Sequence, residues 1–434
     1  MIPLPVPALS EAGAAACILF ILLVPLAGAG LALINTGLGR SRSAAHSMLA
    51  SLCVVAVAAL VYFACGFAWQ GYLGRPAHVV TLASKGWNWL AAEPLFFRGL
   101  KLDGSPASLA AWLQMLSVGL AALIPLGSGA DRWRLPASCA SSALLAGVTY
   151  PLFTHWVWGG GWLAQLGANY GLGRGFVDAG GSSSIHAVGG LTALAIAWIL
   201  GPRLGKYSRE GIPTAIPGHN AVLVLLGCAV ALVGWLGLNS AGAILFTGAA
   251  PTGTVLVGVN TVLSAAVAAL AAAMITQIRF GKPDASLVAN GWVGGLVASS
   301  AACASVTPAT AVFIGLVAGV VVIFAVELLE VRLRVDDPGG AVSVHAVAGI
   351  WGVLALGFFA RFPGAGGQWL AQLIGVATLL GFVLPLTYGL NWLLNRFYPQ
   401  RAPMEGERLG MDVSELGASA YPEFVIHTEE FIPR

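Results

Sequence analysis

The chain has 434 residues, of which 58% are hydrophobic and 9% are charged, and its mean hydropathy is +0.84. A soluble domain carries about a quarter charged residues, so most of this surface must face lipid, and we predict a polytopic membrane protein. The net charge of +3 is small and dispersed, which argues against nucleic-acid binding. The six cysteines lie singly in apolar runs without metal-ligand spacing, so we interpret them as reduced packing residues.

Eleven apolar segments of membrane-spanning length follow one another along the chain, separated by polar or Gly- and Pro-containing breaks. They lie at about 12–36, 44–70, 107–127, 136–158, 183–202, 218–240, 253–279, 286–304, 308–332, 342–361 and 369–397. Their hydrophobic runs are continuous, whereas the strands of a membrane barrel alternate in polarity. The sequence therefore predicts an all-α polytopic membrane protein with eleven transmembrane helices.

The Lys and Arg residues are distributed unevenly between the two sides of this predicted bundle. The loops after segments 1, 3, 5, 7 and 9, together with the tail, hold 15 of them, and the opposite loops hold 6. The positive-inside rule then places the N-terminus outside and the tail in the cytoplasm. No basic residue precedes the first apolar run, which argues against a cleaved signal peptide.

A seven-residue phrase occurs twice, as SIHAVGG at 184–190 and as SVHAVAG at 343–349. It places His186 early in the fifth segment and His345 early in the tenth, so the two helices run in opposite directions. This pattern predicts two inverted five-helix repeats with a working site between the halves. The resulting units are repeats at about 12–202 and 218–361, an extra helix at about 369–397, a transmembrane domain of 1–395 and a C-terminal tail of 396–434.

Two histidines at membrane depth indicate function, because polar groups are costly there. Two neutral imidazoles can share one proton, so His186 and His345 together would form a polar rung that accepts or passes a proton. One alternative is that each is a packing histidine that donates to a backbone carbonyl. A metal site is the other alternative, although no third ligand lies one turn from either histidine.

Further stretches of the chain, in their order, match one known family. They are HWVWGGGWL (155–163), DAGGSSSIHAVGG (178–190), LGPRLGKY (200–207), GWLGLNSAGA (234–243), VDDPGGAVSVHAVAGIWG (335–352) and RLGMDVSELGASAY (408–421). From about 127 to 421, the chain resembles the ammonium transporter/Rhesus family. The resemblance implies a homotrimer in the bilayer of a prokaryotic inner membrane, in which each eleven-helix subunit transports ammonium or ammonia through its own pore.

The resemblance also implies roles for individual residues. His186 and His345 match the twin histidines of the pore, and Trp158 and Asp178 match positions of the cation recruitment site, where Asp178 is also suited to cap the fifth helix. Further matched positions are Ser117 and Gly242 for substrate recruitment and Leu113, Trp235, Leu238, Asn239 and Thr307 for the pore lining or gate. No cofactor or metal is implied, and the tail matches in part the region that receives a PII-type signalling protein.

Several of these positions depart from the family pattern. Ser117 and Leu238 replace the two stacked phenylalanines that close the outer pore, and Gly242 replaces the serine of the recruitment site. The other departures are Leu113 for an aromatic residue, Asn35 for tyrosine, Gly340 for an acidic residue and Leu416 for the tail histidine. The histidine relay is therefore retained while the filter above it is altered, and losing two rings leaves room that water could enter.

Three functions are compatible with this pattern. The first is ammonium transport, in which the cation is recruited, deprotonated and passed as ammonia along the histidine pair, because a cation in an apolar pore is costly. The second is an ammonium sensor of the same fold, and the third is a channel for another small amine or neutral molecule. An intramembrane hydrolase that pairs His186 with Ser182, Ser183 or Ser184 is disfavoured, because the serines have helix-start positions and lack nucleophile-elbow spacing, so no enzyme activity is expected.

Overall fold

The computed structural model describes residues 9–362 and 366–422, and within these ranges it contains eleven long helices. Their bounds are α1 Glu11–Leu38, α2 Ser41–Gln70, α3 Pro106–Gly129, α4 135–158, α5 Ser182–Leu200, α6 Ala221–Thr247, α7 Pro251–Phe280, α8 Ala285–Ala302, α9 Pro308–Arg332, α10 Val342–Phe359 and α11 Gln368–Phe397. Each helix corresponds to one predicted apolar segment. The fold class, an all-α polytopic membrane protein, is confirmed.

Nine of these helices are long and apolar enough to cross a membrane among the described residues, and α4 and α8 are the two that remain. Helix α4 runs continuously through Leu135–Leu144, a π-helical turn at Leu145–Thr149, and Tyr150–Trp158. It buries polar side chains within the bundle, among them Thr154 and His155. Its lower hydropathy therefore reflects inward-facing polar residues.

The helices divide into inner and outer ones. In the most apolar window of α3 and of α5, 83% of the residues are buried, whereas the corresponding value for α2 is 28%. The exposed side chains of α2 are apolar, such as Leu52 and Leu60, which are each 67% exposed. Apolar exposure of this kind suits contact with lipid, so α2 lies at the periphery, while α3 and α5 form the centre.

Small residues bring α1 and α6 into close contact. A Cβ at Gly30 would lie 2.6 Å from the backbone of Ala231, and a Cβ at Gly227 would lie 2.6 Å from the carbonyl oxygen of Gly30. In lipid, the hydrophobic effect contributes little to the association of helices. Membrane helices therefore rely on van der Waals contacts, which small residues allow by letting the backbones approach closely. The abundance of glycine in the sequence has its physical reason in such crossings.

A β-hairpin that the sequence reading did not predict lies between α2 and α3. Strand β1 (Ala77–Leu82) pairs antiparallel with β2 (Lys85–Ala91) through a two-residue turn, in which Ala83 and Ser84 have φ angles of 48° and 63°. Two positive φ angles are typical of the tight turns that match strand twist. We call this end of the bundle the hairpin face, and the end that carries residues 398–422 the tail face.

The hairpin is attached to the last turn of α4. The Oδ1 of Asn88 accepts a hydrogen bond from the His155 Nε2 at 2.8 Å, and its Nδ2 donates to the Gly160 carbonyl at 3.3 Å. The indole of Trp156 donates to the Trp89 carbonyl at 2.8 Å, and the other ring nitrogen of His155 lies 2.6 Å from the Gln70 carbonyl. These bonds tie the hairpin to the segment that ends in the Gly-rich stretch at 159–161.

A buried ion network organises the tail face. The Arg203 guanidinium donates to both carboxylate oxygens of Asp336, at 3.0 and 3.1 Å, and to Asp131 at 3.1 Å. Fully buried Arg132 donates to the carbonyls of Gly201 and Asp336, and burial lowers its pKa to about 10. Burial alone would raise the pKa of Asp336, but the two guanidiniums outweigh it and hold that pKa below its ordinary value of 3.8.

The C-terminal segment packs onto this network and onto two helix starts. Asp412 accepts hydrogen bonds from the backbone N–H groups of Ala45 and His46, at 3.2 and 2.7 Å, near the N-terminus of α2. Glu415 accepts from the Leu135 N–H at 2.7 Å, at the N-terminus of α4, and lies 3.0 Å from the His46 ring. Carboxylates are favoured at helix N-termini, which carry partial positive charge.

Breaking the buried network should destabilise the protein. Arg203→Ala leaves the Asp336 carboxylate buried with one partner fewer, a change that costs about 3–5 kcal/mol. We expect a clear fall in the midpoint of thermal unfolding, measured by tryptophan fluorescence in detergent. Arg279→Ala is the control, because the Arg279–Glu327 pair is exposed and should contribute nothing measurable. Equal midpoints for the two variants would contradict a stabilising network.

The attachment of the tail should depend on the charge of Glu415. Burial would raise its pKa, but the His46 ring and the Leu135 N–H outweigh burial, so the pKa lies below its ordinary value of 4.5. A depressed carboxylate pKa contributes stability that is present above the unfolded value and is lost as pH falls through the folded value. We expect hydrogen exchange at 412–417 to be faster in Glu415→Gln than in wild type at pH 7, and this difference to shrink below pH 4.5 and to vanish once the pH has fallen below the folded-state pKa. A difference that persists in acid would overturn this assignment.

Candidate functional site

The structure brings His186 and His345 together at the centre of the bundle. Their Nδ1 atoms lie 3.3 Å apart, the ring centroids are 5.3 Å apart, and the two residues are 0% and 5% exposed. One Nδ1 must donate and the other accept, so the two rings hold different tautomers. The His186 Nε2 has no hydrogen-bond partner among the described residues although it is buried, and a buried polar atom without a partner is costly unless a ligand satisfies it.

Each histidine lies on a six-residue π-helical turn at the start of its helix. The turns are Ser182–Ala187, which opens α5, and Val342–Val347, which opens α10. Single π-helical turns often occur at functional sites. The duplicated phrase therefore corresponds to duplicated local structure.

Asp178 supports the first of these turns. Its Oδ1 accepts hydrogen bonds from the N–H groups of Gly181 and Ser182, and its Oδ2 accepts from those of Ser183 and Ser184, all within 2.8–3.0 Å. The Ser183 hydroxyl also donates to Oδ2, at 2.5 Å. The carboxylate thus satisfies the free N–H groups of the helix start. With five donors around it, it has little capacity left for a direct contact with a ligand.

Asp337 supports the second turn in the same way, and the sequence reading did not identify it. It accepts from the N–H groups of Ala341 and Val342, at 3.0 and 2.8 Å, and from the Ser128 hydroxyl at 2.5 Å. The signal was present in the sequence, because Asp178 precedes His186 by eight residues (186 − 178 = 8) and Asp337 precedes His345 by eight (345 − 337 = 8). The repeat therefore includes the capping carboxylate as well as the histidine.

A pocket of about 180 Å³ lies at the hairpin face, and Trp158 and Asp178 both line it. The Trp158 indole donates to the Asp178 backbone carbonyl at 2.6 Å, which fixes the orientation of the ring at the C-terminal end of α4. Phe246, which the sequence reading missed, also lines the pocket and stacks on Trp158 with ring centroids 4.4 Å apart and planes 11° apart. We call this cavity the hairpin-side pocket.

The other two predicted recruitment residues are buried and do not line the hairpin-side pocket. Ser117 is 1% exposed on α3, the helix on which Gln114 accepts a hydrogen bond from the Tyr150 phenol. Gly242 packs against the backbone of Ala179, which leaves no space there for a side chain. A serine at 242 would collide with that backbone, so glycine is required here.

The predicted pore and gate positions fall in different surroundings. Trp235 stacks on His186, with centroids 4.9 Å apart and planes 8° apart, and its indole N–H has no hydrogen-bond partner within residues 9–362 and 366–422. Asn239 is fully buried and donates to the Thr261 hydroxyl at 2.9 Å. Thr307 instead caps α9 by accepting from the Thr310 N–H. The two leucines, Leu113 and Leu238, are each 1% exposed.

A second, smaller cavity lies beside His345 and has a volume of about 10 Å³, enough for at most one water. Asn35 and Asn290 line it, and the Asn35 amide donates to the Leu123 carbonyl at 3.3 Å. Gly340 has a φ of 64°, and a Cβ there would lie 2.5 Å from the Asn290 amide. This contact explains why no acidic side chain stands at 340. Among the described residues, no group of three or more His, Cys, Asp and Glu side chains is placed to hold a metal ion.

A bundle of membrane helices with a buried histidine pair at its centre and a pocket at one face is typical of a helical membrane transport protein. The family model described as Ammonium Transporter Family matches residues 15–421, and the chain belongs to that family. It is 37% identical to the ammonium transporter Amt2 of Archaeoglobus fulgidus, over 95% of this chain and 88% of that protein. It is 30% identical to the ammonium transporter of Bacillus subtilis, over 93% and 96% of the two chains.

Solved structures share the fold. The Sensor Amt Protein superposes with a TM-score of 0.84 at 28% identity, covering 93% of this chain and 97% of that chain. Mep2 of Candida albicans superposes with a TM-score of 0.80 at 24% identity, covering 98% and 93%. The fold is therefore common to proteins that differ in most of their residues.

Removing the Asp178 carboxylate should destabilise the start of α5. Asp178→Ala leaves four buried N–H groups without their acceptor, and we expect a loss of at least about 2 kcal/mol. Asp284→Ala is the matched control, because Asp284 caps α8 through a single, exposed bond to the Leu287 N–H and should cost about 1 kcal/mol. Thermal unfolding in detergent measures both, and equal shifts would contradict a special role for Asp178.

Proposed function

We propose that this protein transports ammonium across the membrane, by passing ammonia along the His186–His345 pair. The observation that carries the proposal is the His186 Nε2, a buried imidazole nitrogen without a partner, in a pair whose Nδ1 atoms lie 3.3 Å apart. An atom of this kind suits a small hydrogen-bonding molecule that passes through. The family membership supports the choice of ammonium as substrate.

The physical reason for deprotonation is desolvation. A cation loses many kcal/mol of hydration on entering an apolar pore, whereas a neutral amine of the same size loses far less. A pore that passes ammonia and handles the proton separately avoids most of that cost. A neutral imidazole that is hydrogen-bonded to a second one can accept a proton at one nitrogen as it releases one at another.

In this proposal the cation is recruited in the hairpin-side pocket, by Trp158 and the negative field of Asp178. The Asp178 carboxylate is occupied by five donors, so it acts on the cation through space rather than as a ligand. Ser117 and Gly242 do not line that pocket, and neither contributes an aromatic ring to the path. Leu113, Leu238, Asn239 and Trp235 would form the apolar and stacking surroundings of the path, while Thr307 acts as a helix cap.

The finer assignments follow from the same proposal. The hairpin face lies outside the cell and the tail face lies in the cytoplasm, in keeping with the 15 and 6 basic residues on the two sides. The subunit is one of a homotrimer, the tail offers a surface to a PII-type protein, and the machinery conducts without chemical catalysis. The transmembrane domain of 1–395 consists of two inverted repeats and the extra helix α11.

A sensor of ammonium is the second candidate function. The similarity to the Sensor Amt Protein, with a TM-score of 0.84, favours it. The stacked rings of Trp158 and Phe246 occupy the wall of the hairpin-side pocket, an arrangement that would suit binding without rapid conduction. Binding of ammonium by a protein that carries no current would favour this candidate.

The twin histidines should be essential for selective transport. Replacing both, in His186→Ala/His345→Ala, removes the proton acceptor and the polar rung, and we expect ammonium-driven current to fall about 100-fold or more. Solid-supported-membrane currents of proteoliposomes under an ammonium gradient measure this, with methylammonium and potassium as comparisons.

The control is His78→Ala, which replaces a histidine on the exposed strand β1 and should leave the current unchanged. Full current in the double variant, at matched protein amounts, would refute the relay. No current in wild type, combined with ammonium binding, would favour the sensor.

A further inference from the structure

We propose that Phe246 is a specificity-determining residue, whose ring covers the face of the Trp158 indole at which a cation would bind. The proposal rests on the proposed function, since it concerns the recruitment of the same substrate. Phe246 lies at the end of α6 and presents its ring to the hairpin-side pocket, where it stacks flat on Trp158.

The stacking geometry leaves no room for a cation between the rings. A cation binds an aromatic face from within about 6 Å of the ring centroid, and a ring pair that encloses one must be roughly twice as far apart as a contact pair. The observed centroid distance is 4.4 Å with planes 11° apart, and Trp158 is 7% exposed. The face of the indole that Phe246 covers is therefore unavailable until Phe246 turns away.

The surroundings let the Phe246 side chain move while its backbone stays in place. The preceding residue is held, because the Tyr72 hydroxyl donates to the Leu245 carbonyl at 2.9 Å. The chain then leaves the helix through Gly248, which has a φ of 70°, and the Phe246 side chain is only partly buried. A ring at the open end of a helix, bordered by a cavity of about 180 Å³, has space for another rotamer.

The consequence is a selectivity step at the pocket. A cation reaches this face of the Trp158 indole only by displacing Phe246. Its binding energy must therefore offset the energy of the stacking between Trp158 and Phe246. A compact, weakly hydrated monovalent cation such as ammonium needs only a small displacement of the Phe246 ring. A methylated amine is larger and needs a larger displacement of that ring. Phe246 lies about two helical turns beyond Leu238 on α6, nearer the hairpin-side pocket, and it supplies an aromatic ring that neither Ser117 nor Leu238 has.

The test compares the half-saturation concentration for ammonium current in wild type and Phe246→Ala. An aromatic stack of ordinary strength corresponds to about a two- to tenfold change in affinity, so we expect the half-saturation concentration to fall by that factor. The current at saturation should stay unchanged, and discrimination between ammonium and methylammonium should shrink. Phe359→Ala is the matched control, because Phe359 pairs with Phe313 at 5.6 Å on an exposed surface away from the pocket.

A second variant links the effect to the indole. In a Trp158→Leu background, Phe246→Ala should no longer lower the half-saturation concentration, because there is no face to uncover. An unchanged or raised half-saturation concentration in Phe246→Ala, at normal expression and with wild-type thermal stability, would overturn the proposal.

If wild type carries no current, the transport proposal fails, and calorimetric binding of methylammonium to the purified full-length protein then decides the Phe246 proposal. Tighter binding of methylammonium to Phe246→Ala than to wild type would support the proposal that Phe246 covers the Trp158 indole. Equal or weaker binding would reject it.

Discussion

Two helices of this protein begin inside the bundle, and the free N–H groups at their starts must be satisfied without water. Asp178 and Asp337 do this from equivalent positions, each eight residues before a histidine. Because an orphaned N–H in a low-dielectric interior is costly, each carboxylate dictates the path of the turn that follows it. The two capped turns therefore set the relative position of the histidines. The side chains themselves add only the contact between their Nδ1 atoms, which lie 3.3 Å apart.

The same constraint shapes the electrostatics of recruitment. A carboxylate surrounded by five donors keeps its negative field but loses its capacity to coordinate, so in the proposed recruitment step a cation beside Trp158 would be attracted without being bound directly. On the tail face, a buried carboxylate is satisfied in a similar way. Asp336 accepts hydrogen bonds from both the backbone N–H and the guanidinium of Arg203, and these bonds hold the loops together. Capping and pairing of buried charge therefore connect both ends of the bundle to its centre.

Much of the fold was predictable, and part of the site was not. The eleven apolar segments and the paired histidines followed from hydropathy and from the duplicated phrase, because lipid imposes a length and a polarity on every helix. Asp337 was recoverable from its spacing but was overlooked. The hairpin at 77–91 was not predicted, because short apolar runs do not separate a strand from a helix by periodicity alone. The stacking of Phe246 was not predicted either, because one phenylalanine at a helix end has no sequence signature.

The sequence by itself determined that this is a helical membrane protein with a duplicated histidine element, because hydropathy and a repeated phrase are local properties of the chain. Only the tertiary structure decided which residues share a cavity: Trp158 and Phe246 do so, while Ser117 and Gly242 lie outside it. The physical reason is that ring stacking and backbone contact are set by how helices cross. Gly242 against Ala179 and Phe246 against Trp158 are separated by 63 and 88 residues along the chain (242 − 179 = 63; 246 − 158 = 88).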